Sequence, residues 1–243
     1  MTYVLVGAVG LISGLVAHDL ALQSLDDENP LRPLVGVCRR CGTERGWLRP
    51  RCRNCGTPLI REAGIALVAA AAAVLFLLAV GWTWTLVPYL GFLMLTTALV
   101  VTDLETFRIV DRLNLRGSAL VAVMLLGATV LSGQWEAMLR GLGGAAAYFA
   151  GTSLVFILVK GEGFGAGDVK LSAQLGLFTA YLGWGVLGWA VFATAMIGGV
   201  VALIMLLAGS AGRKTELPYG PPMILGAWTA IALVGVGAIP IPS

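Results

Sequence analysis

Trp84-Thr85-Leu86-Val87-Pro88-Tyr89-Leu90-Gly91-Phe92-Leu93-Met94-Leu95-Thr96-Thr97-Ala98-Leu99-Val100-Val101-Thr102-Asp103 is the stretch that settles which solvent this chain folds in. From Trp84 to Thr102 it holds no Asp, Glu, Lys, Arg or His. Its length is about the 20 residues a helix needs to cross a ~30 Å hydrocarbon core. The rest of the chain agrees. Of its 243 residues 58% are apolar and only 12% charged, and the mean hydropathy is +0.89. Soluble domains carry roughly a quarter charged residues, so water is excluded as the medium for most of this sequence.

Working outward, similar apolar runs lie near 2–19, 63–80, 117–131, 137–159, 171–186, 188–208 and 220–239, giving eight expected spans with 84–102. The division of 171–208 into two helices rests on length and on Gly183 and Gly185. Residues 1–7 carry no Lys or Arg, so the basic flank of a cleavable signal is missing and the first apolar run is expected to span. Strict alternation places 20–62, 103–116, 160–170 and 209–219 on one side, and fifteen of the sixteen basic residues fall in or beside them, Arg140 being the exception. Excess Lys and Arg mark the cytoplasmic face, so both termini are expected outside. The basic loops need no nucleic acid to explain them. The expected fold is all-α and polytopic: a first helix (1–19), a small cytoplasmic zinc-ribbon-like insertion (20–62) and a membrane core (63–243).

All four cysteines lie in that insertion, as Cys38-Arg39-Arg40-Cys41-Gly42 and Cys52-Arg53-Asn54-Cys55-Gly56. Two residues between paired thiols let both sulfurs reach one ion, and two such pairs supply the four soft ligands of a tetrahedral Zn²⁺ site. Arg39, Arg40, Arg51 and Arg53 would offset the net negative charge of four thiolates on one Zn²⁺. The alternative, two disulfides, belongs to oxidising compartments and conflicts with a cytoplasmic loop. Four cysteines fill the metal's shell and leave no place for a reacting water, so the expected zinc is structural. Ten residues separate the pairs, fewer than the usual sequence rule. Pro30, Pro33, Pro50 and Pro58 disfavour long helices in the same segment.

An ionisable side chain at membrane depth costs at least ~2.5–3.5 kcal/mol and requires a reason. Asp103 follows directly on one span; Asp168 closes Gly161-Glu162-Gly163-Phe164-Gly165-Ala166-Gly167 and opens another. Both fall at the cytoplasmic end, so helix packing could bring them together. Two acids held close cannot both ionise. One then activates a water while the other stays protonated and hydrogen-bonds the peptide carbonyl. Asp168 at a helix start feels the positive end of the helix dipole and is expected to be the more readily ionised partner. Gly165 and Gly167, lacking Cβ atoms, let an extended substrate approach the backbone closely. Asp111, eight residues past Asp103, is expected in a loop and dispensable. His18 is the sole histidine and is expected at the headgroup interface, and Lys170 with Ser172 forms at most an alternative dyad.

These motifs resemble the bacterial type IV prepilin peptidases. Gly165-Ala166-Gly167-Asp168-Val169-Lys170-Leu171 is similar to the Gly-x-Gly-Asp signature of intramembrane aspartyl proteases. Asp103-Leu104 with Asp111-Arg112-Leu113-Asn114 resembles the family's first aspartate segment, and Leu217-Pro218-Tyr219-Gly220-Pro221-Pro222 its Pro-Phe-Gly-Pro motif. The cysteine quartet and eight-span layout match the longer bacterial members. The resemblance implies a bacterial inner-membrane enzyme with Asp103 and Asp168 as its catalytic pair. Its substrates would be type IV prepilins or type II secretion pseudopilins, cut after a glycine at the cytoplasmic face. It also implies methylation of the new N-terminus with S-adenosylmethionine. Val110 stands where the family has proline, the cysteine pairs are close together, and Asn29-Pro30 only echoes the Asn-Pro-rich segment. Those departures leave cleavage intact as an expectation and weaken that of methylation. For holding the methyl donor, 20–62 offers Asp26, Asp27, Glu28, Glu44, Trp47 and Glu62, but no glycine-rich nucleotide turn. Two other classes were weighed: a proton-coupled transporter, disfavoured because the acids lie at one face, and a membrane-anchored zinc-ribbon module, for which eight spans are excessive.

Overall fold

The structure is a computed structural model, and it describes residues 2–24, 38, 41, 43, 52, 54–55, 60–106, 111–160, 165–207 and 219–240. Arg39, Arg40, Arg51, Arg53, the four prolines of the insertion, Asp26, Asp27, Glu28, Asn29, Glu44, Trp47, Val110, Gly161–Phe164 and Leu217-Pro218 lie outside the described residues.

The described chain is all-helical: α1 (Thr2–Ser24), α2 (Ile60–Val80), α3 (Leu86–Thr106), α4 (Asp111–Ser132), α5 (Trp135–Leu158), α6 (Ala166–Leu182), α7 (Trp184–Leu207) and α8 (Gly220–Gly235). Six of these are long and apolar enough to cross a membrane; α6 and α8 are the shorter two, at 17 and 16 residues. Burial explains why those two escape the length rule. In α6 thirteen of seventeen residues are buried, against five of twenty-four in α7, so α6 is wrapped by protein while α7 faces outward. A helix sheathed by other helices needs neither an apolar surface all round nor a full bilayer length.

Three expected boundaries are corrected. α4 begins at Asp111 rather than near 117, so Asp111 is the first residue of a helix and not part of a loop; an acid there complements the helix dipole. α6 runs from Ala166 to Leu182 rather than 171–186. Its break from α7 falls at Gly183, while Gly185 lies inside α7.

Small residues allow the helices to approach. A Cβ on Gly14 of α1 would lie 2.7 Å from the Ala66 Cα of α2, and one on Gly176 of α6 would strike the Gly144 carbonyl of α5. Such contacts drive helix association where lipid removes the hydrophobic incentive. Between α2, α3 and α6 the core is aromatic: Phe92 stacks on Phe178 at 4.4 Å between centroids, and Tyr89 meets Phe178 edge-on at 5.2 Å. The buried Tyr89 hydroxyl donates to the Phe178 carbonyl at 2.6 Å, satisfying its one polar group.

Arg140, the basic residue on the otherwise charge-poor side, has a structural explanation. Its Nε donates to the Ala180 carbonyl at 2.9 Å and its Nη2 to the Tyr181 carbonyl at 2.7 Å. It therefore caps the C-terminus of α6, where carbonyls lack helical partners and the dipole is negative. Exposed Trp82, Trp84, Trp135 and Trp184 lie in or beside the α2–α3, α4–α5 and α6–α7 connections, at that same end. This is the aromatic belt of a membrane–water interface.

Candidate active site

Asp103 sits one turn before the end of α3, only 4% exposed. Its carboxylate accepts the backbone N–H of Gly220, the first residue of α8. The local sequence explains why this donor is available. Helix starts carry N–H groups without helical partners, but Pro221 and Pro222 have none to offer, and the Met223 N–H is taken by the Tyr219 carbonyl. Gly220 thus presents the free donor of this turn to Asp103. The other carboxylate oxygen, Oδ2, is buried with no hydrogen-bond partner among the described residues, leaving one acceptor to be satisfied from within the site.

Asp168 is the third residue of α6 and is 6% exposed. Its Oδ2 accepts the Gly165 N–H at 3.0 Å, and its own N–H donates to the Gly165 carbonyl at 3.1 Å. The carboxylate therefore folds back over the residue preceding the helix, and a Cβ on Gly165 would lie only 3.2 Å from Oδ2. That close approach gives Gly165 a structural reason beyond substrate access. Gly167 is half-buried in the first turn of the same helix. Asp103 lies within electrostatic reach of Asp168, so two acids separated by 65 positions share one end of the bundle.

Two tyrosines adjoin the pair. Tyr148 of α5 and Tyr219, just before α8, both lie within electrostatic reach of Asp168. Both also line an apolar cavity of about 660 Å³ between α5, α7 and α8, walled further by Thr152, Val191, Thr194 and Met223. Tyr148 carried no signal in the sequence, since an aromatic residue inside an apolar run is read as core. The same is true of the Gly220 N–H, a backbone group with no side-chain signature.

The alternative dyad does not form. Lys170 points to the α4 side, where its Nζ donates to Asp111 Oδ2 at 2.8 Å, whereas Ser172 is buried and bonded to Thr152 Oγ1 and the Val169 carbonyl, each at 2.7 Å. His18, expected at the headgroup interface, is buried in the protein at 3% exposure, as is its neighbour Asp19.

The four cysteines converge. Cys38, Cys41, Cys52 and Cys55 place their sulfurs within 4.8 Å of one another, with Cys38–Cys55 and Cys41–Cys52 separations of 3.5 Å. Disulfide sulfurs are ~2.05 Å apart, and none of the four cysteines forms a disulfide. A tetrahedron with Zn–S bonds of ~2.3 Å has S···S edges of ~3.8 Å, so the set fits one such ion. The Thr43 hydroxyl, unremarked in the sequence, lies 3.0 Å from Cys41 Sγ and 3.6 Å from Cys52 Sγ. The backbone N–H of Cys55, then the Thr43 hydroxyl and the Asn54 N–H, hold the Cys52 thiol down at about 5. The Thr43 hydroxyl and backbone likewise lower Cys41. These donors favour thiolates, the form that binds metal.

Comparison with known proteins places this arrangement. The model of the type IV leader peptidase family matches residues 89–207, a span that contains both Asp103 and Asp168. A "Prepilin leader peptidase/N-methyltransferase" of Myxococcus xanthus is 34% identical over 81% of this chain and 61% of its own length. One from Aeromonas hydrophila is 33% identical over 76% of this chain and 63% of its own. The relative from Burkholderia pseudomallei strain 1026b is 31% identical over 87% of this chain and 72% of its own length. The chain belongs to the type IV leader peptidase family. It spans about three fifths of the length of the first two of these relatives. No solved structure matches it. Within this family assignment, the matched segment begins at Tyr89, so the cysteine quartet and the α8 start lie outside the family's core segment.

Proposed function

We propose that this chain is a membrane aspartyl endopeptidase that removes the leader peptide of type IV prepilins or type II secretion pseudopilins, with Asp103 and Asp168 as its catalytic pair. The observation that carries the proposal is two buried carboxylates from separate helices at one end of the bundle, each held by a single backbone N–H. Like charges held close cannot both ionise, so the pair keeps one proton. The ionised acid takes a proton from water as that water attacks the scissile carbonyl. The protonated acid hydrogen-bonds the carbonyl oxygen and then supplies a proton to the leaving nitrogen, which leaves the dyad ready for another cycle. Gly165 and Gly167 border the place where an extended substrate would lie. The basic end of the bundle faces the cytoplasm of a bacterial inner membrane, with both termini outside.

The cysteine quartet holds a structural Zn²⁺ that orders the 20–62 insertion; its role is to fix that segment, and it stands apart from the peptide chemistry. S-adenosylmethionine is at most a weak co-substrate, since ten residues between the cysteine pairs leave little chain to shape a second pocket.

Purified protein in detergent, incubated with a prepilin-like peptide and labelled S-adenosylmethionine, tests the proposal. Wild type should release the leader and leave little label on the new N-terminus. Asp103→Asn and Asp168→Asn should each insert normally and cleave at background, because either change removes the shared proton. Full cleavage by Asp168→Asn would end the aspartyl assignment, and stoichiometric label would show that methyl transfer is retained.

A further inference from the structure

The tryptophan end of the bundle is nearly free of charge, which makes its two charged side chains informative. Across 63–102, 117–159 and 171–208, Glu136 and Arg140 are the only Asp, Glu, Lys or Arg residues. Both line one pocket of about 450 Å³, between the α2–α3 connection, the start of α5 and the end of α6. They stand four apart on α5, the spacing at which an acid and a following base meet on a helix. Here they do not pair. Arg140 turns Nε and Nη2 to the Ala180 and Tyr181 carbonyls instead, and Glu136 has no ion pair or hydrogen bond among the described residues. Both charges are reachable from the pocket. Glu136 is exposed, and Arg140 Nη1 makes no hydrogen bond among the described residues and is not a buried atom. Of the five N–H donors of a guanidinium, three therefore remain for a ligand. Gln134 Oε1, which accepts from the Tyr181 hydroxyl at 3.2 Å, belongs to the same lining and has a second lone pair to offer.

The charges cancel, and the last carbonyls of α6 add a partial negative charge beside them. A simple anion would meet Glu136, and a simple cation would meet Arg140. A group carrying both signs satisfies the pair. The depth and the neighbouring surface narrow the class further. Exposed Trp82 and Trp135 also border this region, at the level where headgroups meet hydrocarbon. An apolar groove of about 740 Å³ adjoins the pocket, with Thr83, Thr85 and Gln134 in both linings. Leu5 and Val9 of α1 and Val87 of α3 line that groove and are exposed, so it opens sideways to acyl chains. We infer that pocket and groove together bind phosphatidylethanolamine from the leaflet opposite the carboxylate pair. The phosphate accepts from Arg140 Nη1, the ammonium donates to Glu136 and to Gln134 Oε1, and an acyl chain lies along Leu5, Val9 and Val87. Phosphatidylcholine carries no N–H to donate to these acceptors, and phosphatidylglycerol brings no cation to Glu136.

Native mass spectrometry of the full chain in detergent, titrated separately with phosphatidylethanolamine, phosphatidylcholine and phosphatidylglycerol, tests the inference. One saturable phosphatidylethanolamine per chain is expected, bound about tenfold more tightly than either other lipid, as loss of a charge-assisted hydrogen bond implies. Glu136→Gln, at an exposed position, should bring phosphatidylethanolamine down to the level of phosphatidylcholine. Glu136→Lys should reverse the order and place phosphatidylglycerol first. Equal binding of the three lipids by wild type would overturn the site, as would an undiminished phosphatidylethanolamine preference in either folded variant. Displacement of the lipid by glycerophosphoethanolamine at matching concentration would assign the pocket to a soluble zwitterion and overturn the lipid source.

Discussion

At the scale of single residues, the acid pair was legible because water-loving side chains are out of place beside apolar spans. What holds the acids was not. The Asp103 partner is a backbone N–H more than a hundred positions away, and two prolines keep that donor uncontested. The Asp168 partner is Gly165, whose missing Cβ gives the carboxylate its place. Gly165→Ala would bring a methyl group within 3.2 Å of Asp168 Oδ2, so the carboxylate must move by a few tenths of an ångström. Cleavage kcat should fall roughly ten- to a hundredfold, since small misplacements of a reacting group are costly. Thermal unfolding should change little, because Gly165 is exposed; wild-type kcat in a folded Gly165→Ala protein would mean that this contact does not position the acid. In the insertion, the spacing of the cysteines foretold their convergence, but Thr43 became visible only in three dimensions. Cys38→Ser should lower zinc from one to well under one per chain by elemental analysis, while cleavage at Asp103 and Asp168 partly survives. The lowered Cys52 thiol adds a pH dependence. Its depressed thiol favours the thiolate that metal needs, so wild-type zinc should be retained at neutral pH and released on acidification, as protons compete for the four sulfurs.

At the scale of helices, hydrophobic runs revealed eight elements in the right order but blurred the ends of the buried ones. An apolar window cannot see that α6 starts at Ala166, because its first turn holds glycine, an aspartate and a lysine that protein contacts, not lipid, make tolerable. The α4 start was missed for a related reason: Asp111, Arg112 and Arg116 look like loop until the dipole and the Lys170 partner are known. That partnership is exposed on both sides, 46% and 63%, and such pairs contribute ~0–1 kcal/mol. Asp111→Asn should therefore leave cleavage within about threefold of wild type and stability nearly unchanged. Gly176→Val belongs to a different class. Its side chain would enter the α5–α6 contact against the Gly144 carbonyl, and overpacking of this kind costs about 1–3 kcal/mol. The helix carrying Asp168 would be pushed off α5, so both the unfolding temperature in detergent and kcat should fall. A variant that lost neither would show that the two helices have room to spare.

For the whole molecule, charge and aromatic residues report the same axis independently. Four exposed tryptophans gather at the end where Arg140 is the lone exception among basic residues, and the acids and cysteines belong to the other. In intact cells, a cysteine introduced at Gly133 should react with a membrane-impermeant maleimide, and one at Lys160 only after the membrane is opened. The reverse pattern would invert the bundle and move the quartet into an oxidising compartment, where reduced thiols do not persist. The hydrogen bond from Gly220 to Asp103 has a consequence in time as well as in space. Ribosomes deliver helices in order, so α3 and α6 enter the membrane while α8 is still to come. Until α8 arrives, Asp103 lacks the donor that fixes it and Tyr219, one of the two tyrosines beside Asp168, is not yet in place. A chain truncated before Gly220 should therefore hold both acids in the bilayer without the contact that fixes Asp103, and on the proposed function it should release no leader from a prepilin-like peptide.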